Sequence, residues 1–338
     1  MKNIIKNKTI LITGGTGSFG KAFSKKVLSK YNPKKLIIFS RDELKQSEMA
    51  ENEIFKNHKN LRFFLGDVRD LQRLKIAFRE VDYVVHAAAL KQVPSAEYNP
   101  IECIKTNIIG AENIINASLE TGVKKIIALS TDKAVNPINL YGATKLSSDK
   151  LFQAANNLTG NLDCKFTVVR YGNVIGSRGS VLPYFLKLLK NKSKILPITH
   201  KEMTRFWIRL DDGIDFVLKT LTLMNGGEIF VPKMPTIKIL DLAKSLNNKV
   251  KIQYTGIRPG EKLHEVLVPA DLSSQTVEHL DYFKILPSFF FHKDKNIEKI
   301  RKKYKFVKEG FEYNSKNNSH YLKLSEIIKL NKQYLNNQ

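Results

Sequence analysis

The chain has 338 residues, 42% of them hydrophobic, enough for one large α/β domain or a large domain joined to a smaller one. No apolar run reaches membrane-spanning length, and the two cysteines, Cys103 and Cys164, have neither metal-ligand spacing nor the number for a disulfide framework. A reduced, cytoplasmic protein without a membrane span or a metal is expected. The formal net charge of +24 is spread as lysine and thickens after His292, with no basic stripe interleaved with aromatics, so it points to solvated faces and an anionic small-molecule substrate rather than to nucleic acid.

Residues 8–13 predict a buried strand that runs into Gly14-Gly-Thr16-Gly17-Ser18-Phe19-Gly20, with a helix following from 21 to about 29. Glycines at 14, 17 and 20, set between a strand and a helix, have the spacing of a dinucleotide turn. The first permits the tight turn, the second lets backbone approach a pyrophosphate, and the third lets helix pack on strand. The helix N-terminus then offers free N–H groups to the phosphates. A second strand, 35–40, ends in Ser40-Arg41-Asp42, with Lys45 one helical turn on. An NAD-binding fold usually carries an acid here for the ribose 2′-hydroxyl. A hydroxyl and two cations instead favour a 2′-phosphate, hence NADP, with Asp42 and Glu43 close by.

A third strand, 60–66, closes on Asp67-Val68, placed for the adenine amino group and ring. A fourth, 81–86, ends in Ala87-Ala88-Ala89-Leu90-Lys91, small residues where a cofactor must lie against backbone. His86 reads as packed structure, and Lys91 as within reach of cofactor or substrate. A helix from 100 to about 120 carries Asn107 mid-way.

The fifth strand, 125–130, ends at Leu129-Ser130 and leads into Thr131-Asp132-Lys133. Asn136-Pro137 breaks the chain, because a residue before proline is pushed out of the α region. The helix that follows, from about 140 to 155, carries Tyr141 and Lys145 four apart and so on one face. A lysine ammonium beside a phenol favours the phenolate, so Lys145 is expected to lower the Tyr141 pKa and make it a proton carrier near neutral pH. By the same logic, burial is expected to leave Lys133 a neutral base and Asp132 a protonated acid.

A sixth strand, 166–170, precedes Tyr171-Gly-Asn173-Val174. The alternation of strand and helix predicts an α/β fold, a Rossmann-type doubly wound parallel sheet with ligands at the carboxyl ends of its strands. Residues 1–173 are expected to form the nucleotide-binding domain, joined by 201–224, with 174–200 and 225–338 as a smaller substrate-binding lobe. That remainder shows a loop at Ser177-Arg178-Gly179-Ser180, a helix over 181–191, an extended stretch at 197–199, a strand-like run over 203–208 with Arg205 embedded, a helix over 211–223, and a turn at Arg258-Pro-Gly-Glu261. Two arginines from separate segments suit a diphosphate, since each guanidinium grips two oxygens.

The glycine turn, Asp67-Val68, Tyr141-x-x-x-Lys145, Arg170-Tyr-Gly-Asn173-Val174 and Arg258-Pro-Gly-Glu261 together resemble the extended short-chain dehydrogenase/reductase family that works on nucleotide sugars, over nearly the whole chain. Within it, Ser130-Thr131-Asp132-Lys133-Ala followed by Asn139-Leu-Tyr141-Gly-Ala-Thr-Lys145 resembles the soluble UDP-N-acetylglucosamine 4,6-dehydratases that invert C5 and open pseudaminic-acid synthesis. Epimerases that share Thr-Asp-Lys are the nearer rivals.

The resemblance implies an NADP-dependent hydro-lyase of polysaccharide biosynthesis, a homo-oligomer from dimer to hexamer, with UDP-N-acetylglucosamine as substrate. It implies catalysis by Thr131, Asp132, Lys133, Tyr141 and Lys145. NADP would be held by Gly14, Thr16, Gly17, Ser18, Phe19, Gly20, Ser40, Arg41, Asp42, Lys45, Asp67, Val68, Ala87, Ala88, Ala89, Lys91, Leu129, Ser130, Tyr141, Lys145 and Val174. Substrate would lie against Lys91, Asn173, Arg178, Gly179, Ser180, Val181 and Thr199, with Arg205 and Arg258 at the diphosphate and Glu261 near the nucleoside ribose.

Overall fold

The structure is a computed structural model that describes residues 2–288 and 304–336. Six strands, β1 (Thr9–Thr13), β2 (Lys35–Ser40), β3 (Leu61–Leu65), β4 (Tyr83–His86), β5 (Lys125–Thr131) and β6 (Lys165–Tyr171), pair in parallel in the order β3-β2-β1-β4-β5-β6. Every residue of β1 is buried, as expected of a parallel strand covered by helices on both faces. Beyond them come β7 (Asn173–Val174), β8 (Ile195–Ile198), β9 (Thr204–Ile208), β10 (Ile229–Pro232), β11 (Thr236–Lys238), β12 (Lys251–Tyr254), β13 (Val266–Val268), β14 (Thr276–Glu278), β15 (Tyr282–Ile285) and β16 (Tyr313–Asn314).

The large sheet does not end at β6. β10 adds to it in parallel, and β15 and β14 follow antiparallel, giving nine strands. Residues 229–232 and 276–285, expected in the smaller lobe, therefore belong to the main sheet. Both Ile-Phe-Val-Pro and Tyr-Phe-Lys-Ile are buried along their whole length; the first covers what would otherwise be an open edge of β6, and the second covers the edge of β10. The expected return of 201–224 is split. β9 sits in a separate three-stranded sheet between β7 and β11, whereas the helix Leu210–Leu223 packs beside the helix Ser18–Lys30, where Lys26 Nζ lies 2.7 Å from Asp215. A second core, built from Leu182, Phe185, Leu196, Trp207, Ile237, Leu242 and Ile327, supports the smaller lobe. Residues 289–303 of that expected lobe lie outside the described residues, as does much of the lysine-rich stretch after His292.

Strand order reverses between β1 and β4, which opens a crevice at their carboxyl ends. Gly14 sits there with φ +65°, and a Cβ on it would stand 3.0 Å from the Ala88 backbone. Only glycine meets both demands without strain. Thr13 ties the two strand ends together: its Oγ1 accepts from the backbone N–H of Ala87 and of Ala88, each at 3.2 Å.

Candidate active site

A cleft of about 640 Å³ lies along the carboxyl ends of the parallel strands. All the residues expected at the cofactor line it, from Gly14 through Val174. So do Thr131, Lys133, Tyr141 and Lys145, and on the far side Lys91, Asn173, Arg178, Gly179 and Ser180.

On the cofactor side, the helix Ser18–Lys30 begins at Gly17 with no side-chain cap, leaving its first N–H groups for an anion. The Thr106 hydroxyl in the wall is buried without a hydrogen-bond partner. A dinucleotide fits this half, since it would meet both sets of donors. The groups expected around a 2′-phosphate already have partners. Arg41 lies 3.7 Å from Asp67, Lys45 pairs with Asp42, and the Ser40 hydroxyl accepts from Gln46 Nε2 at 3.0 Å. Burial alone would raise the Asp67 carboxyl, but Arg69, bonded through Nε at 3.1 Å and a terminal nitrogen at 2.8 Å, holds it below the ordinary range. His86 is buried as expected, its ring against Phe152 and its Nδ1 2.8 Å from Thr13 Oγ1. Burial first, and the Lys145 charge second, push it down to about 3, so it stays a neutral imidazole.

Among the residues expected to be catalytic, Thr131, Asp132 and Lys133 form a short chain of hydrogen bonds. Thr131 Oγ1 donates to Asp132 Oδ1 at 2.9 Å, and Lys133 Nζ donates to the same oxygen at 2.9 Å. Asn139 caps the helix Leu140–Ala154 by accepting from Gly142 N–H at 2.8 Å. A Cβ on Gly142 would stand 2.2 Å from the Lys133 carbonyl, so glycine there lets the tyrosine helix close on the Asp-Lys turn. Asn107, in a π-helical turn, grips both backbone groups of Leu90 at 2.9 Å and bonds Thr144 at 3.0 Å, which fixes the loop after β4 against the same helix.

Two expected charge states are not what the structure supports. Tyr141 is pushed up to about 12 by burial, and the groups that oppose this are Lys133 and the Thr131 hydroxyl, not Lys145. Lys145 is itself lowered by burial, against the pull of Asp149. That carboxylate accepts from Ser130 Oγ at 2.7 Å and from Arg170 at 3.0 Å. The i, i+4 spacing places the lysine beside the tyrosine but does not overcome the desolvation of the phenol. Lys133 is also not neutralised: burial works against its ammonium, but Asp132 and Glu265 together outweigh this and raise its pKa.

Glu265 escaped the sequence reading. Its Oε1 lies 3.5 Å from Lys133 Nζ and 3.8 Å from Arg205 Nε. Burial raises its carboxyl, with Lys133 pulling the other way. Asp132 is wholly buried behind Lys133, and its Oδ2 has no hydrogen-bond partner.

The substrate residues divide. Asn173 Oδ1 and the Ser180 hydroxyl are buried in the wall without partners, open to a ligand. Lys91 Nζ donates across the cleft to the Arg178 carbonyl at 3.2 Å. Val181, Thr199, Arg205, Arg258 and Glu261 are not brought to the wall. Arg205 spends its guanidinium on the carbonyls of Thr204, Leu263 and Lys262 at 2.7, 3.1 and 2.9 Å, so it staples the 260s segment to β9 rather than facing a diphosphate. Arg258 is exposed and forked onto Glu261 at 3.0 and 3.1 Å, and Arg205 reaches the same carboxylate at 3.4 Å. The two arginines do converge, on Glu261. Gln92, Thr106, Tyr171 and Leu210 line the cleft without having been expected. Gln92 directly follows Lys91 and was within reach of the reading; Leu210 carried no local signal.

The profile of the family described as polysaccharide biosynthesis protein matches residues 10–287. A Campylobacter jejuni protein named UDP-N-acetylglucosamine 4,6-dehydratase (inverting) is 56% identical over 97% of this chain and 98% of its own. A Rickettsia bellii protein named UDP-glucose 4-epimerase is 45% identical over 82% of this chain and 83% of its own. Among solved structures, Pen from Bacillus thuringiensis superposes with a TM-score of 0.87 at 35% identity, covering 98% of this chain and 99% of that one. With the glycine turn and the Thr-Asp-Lys and Tyr-x-x-x-Lys motifs at one switch-point cleft, these matches establish that the chain belongs to the polysaccharide biosynthesis protein family and has the short-chain dehydrogenase/reductase fold.

Proposed function

We propose that the protein is an NADP-dependent hydro-lyase, a UDP-N-acetylglucosamine 4,6-dehydratase that inverts C5 and yields UDP-2-acetamido-2,6-dideoxy-β-L-arabino-hex-4-ulose. The observation that carries this reading is the run Thr131-Asp132-Lys133 joined by hydrogen bonds beside Tyr141, in the same cleft as the dinucleotide turn. A dehydrogenase that uses only its tyrosine has no need of the Asp-Lys dyad. The dehydratase of Campylobacter jejuni, similar over nearly the whole chain, adds the substrate.

A nicotinamide held in the cleft by the glycine turn would supply the hydride chemistry, accepting from C4 and returning to C6, so the net change would be loss of water. Tyr141, as its phenolate, the form that Lys133 and the Thr131 hydroxyl favour against burial, takes the O4 proton as C4 is oxidised, with Thr131 as hydrogen-bond partner to O4. The new ketone acidifies the hydrogen on C5. Lys133 passes its ammonium proton to Asp132 along their 2.9 Å hydrogen bond and, as the amine, removes the C5 proton, and the C6 hydroxyl leaves as water with the proton that Asp132 has taken up. A solvent proton delivered to C5 from the other face inverts it. The proton taken from C5 restores the Lys133 ammonium, which returns the Asp132–Lys133 pair to its starting state, and Tyr141 releases its proton to solvent. Asn173 and Ser180, with free acceptor and hydroxyl groups, hold the sugar nucleotide, and Arg41 with Lys45 receives a 2′-phosphate by opening pairs that lie near the surface. The setting we propose is cytoplasmic pseudaminic-acid synthesis by a homo-oligomer.

A 4-epimerase is the second reading, favoured by the similarity to the Rickettsia bellii protein. Incubation with UDP-N-acetylglucosamine and NADP separates the two. The dehydratase gives a nucleotide product one water lighter. A product of unchanged mass, epimeric at C4, overturns it.

A further inference from the structure

Glu265 sits immediately before β13, and its main chain is pinned on both sides by one residue. Its N–H donates to Ser315 Oγ at 2.9 Å, and its carbonyl accepts from Ser315 N–H at 2.8 Å. The side chain is 3% exposed, and Oε2 has no hydrogen-bond partner. A buried carboxylate with one idle oxygen is costly, and an apolar residue would pack there at less expense of stability. What it gains is a place beside Lys133 Nζ, whose own side chain is 26% exposed and reaches the cleft.

We propose that Glu265 is the positioning residue of Lys133: it gives the ammonium a second carboxylate, fixes Nζ at the cleft wall, and sets the pH at which the amine form appears. This deepens the dehydratase reading and rests on it for the role of Lys133 as the C5 base.

The charged groups around the pair give the sign. Asp132 lies on the turn of Lys133 itself. Arg205 faces from β9, Lys262 from the 260s segment, Lys91 from the loop after β4, and Tyr141 from its helix. Lys262 Nζ is anchored on the Val135 carbonyl, and Asn139 Nδ2 bonds the Gly260 carbonyl at 2.8 Å, so the 260s segment is strapped onto the catalytic turn. With Glu265 neutralised, Asp132 is the carboxylate left on Lys133, while Arg205 (held in part by Glu261 at 3.4 Å), Lys262 and Lys91 remain around the ammonium. The ammonium of Lys133 is then less favoured, and its amine form appears at lower pH. Nζ also loses one of its two anchors.

Glu265→Gln keeps the shape and removes the charge. Competitive acetylation across pH, with Lys133 quantified by mass spectrometry in protein without substrate, reads the amine form directly. Lys133 of the variant should acetylate at a pH lower by about one unit or more than in the unchanged protein. In turnover, the acidic limb of kcat against pH should move down with it, while kcat itself falls about tenfold to a hundredfold from the misplaced amine. Glu265→Asp, which keeps the charge, should leave the limb near its original place.

A folded Gln variant with an unmoved acetylation profile overturns the proposal. So does a fall in kcat with the limb unmoved, which is a structural role only. If the Gln variant does not fold, the unchanged protein decides: Lys133 should acetylate only above the pH at which exposed lysines such as Lys59 react, and reaction at or below that pH overturns the proposal. If the unchanged protein makes no dehydrated sugar, the dehydratase reading fails, but acetylation still tests the pairing of Glu265 with Lys133.

Discussion

On the cofactor side of the cleft, four wall residues each follow their own strand by one or a few positions: Gly14 after β1, Arg41 after β2, Asp67 after β3 and Ala87 after β4. On the substrate side, Asn173, Ser180 and Leu210 come from separate segments, and behind Lys133 stand Arg205 and Glu265 from still further along. The first side is a property of short motifs that repeat with each strand. The second exists only after β9, the 260s segment and Ser315 have packed onto the Asp-Lys turn. The residues of the first side are written locally here, and the charge state of Lys133 is not.

The sharpest way to break that contrast is Lys133→Ala. It should reduce dehydration by about a hundredfold to ten-thousandfold, the usual worth of a general base, and leave NADP affinity unchanged by fluorescence titration. Equal losses in both would mean that the two sides are not separable. A smaller effect sharpens the cofactor side alone. Arg41→Ala with Lys45→Ala should weaken NADP about tenfold and leave NAD unchanged, since both cations are partly exposed and begin in surface pairs with Asp67 and Asp42. If NAD binds the unchanged protein as tightly as NADP, the preference read from Ser40-Arg41 is wrong.

The six parallel strands and most of the cofactor side of the cleft were legible because strand periodicity, a glycine turn and strand-end residues are all local signals; Thr106, far from any strand end, was not. Tyr141 and Lys145 were legible as neighbours for the same reason. Their electrostatics were not, because desolvation of a phenol depends on what covers it, and the cation that opposes it is Lys133 from the preceding turn. Lys133 itself was misread as a neutral amine because the carboxylate that helps hold its proton, Glu265, carries no motif and is near only in space. Arg205 was assigned to a diphosphate on its charge and on the family resemblance, and three backbone carbonyls claim it in the fold. β10, β14 and β15 were placed in the wrong lobe because a short apolar strand does not announce which sheet edge it will cover.

The central claim is that oxidation at C4 makes the C5 hydrogen acidic enough for Lys133 to remove. Turnover of UDP-N-acetylglucosamine in heavy water tests it most directly, by nuclear magnetic resonance of the sugar product. The account predicts deuterium at C5 with the configuration there inverted. A dehydrated product that carries only protium at C5 would contradict it.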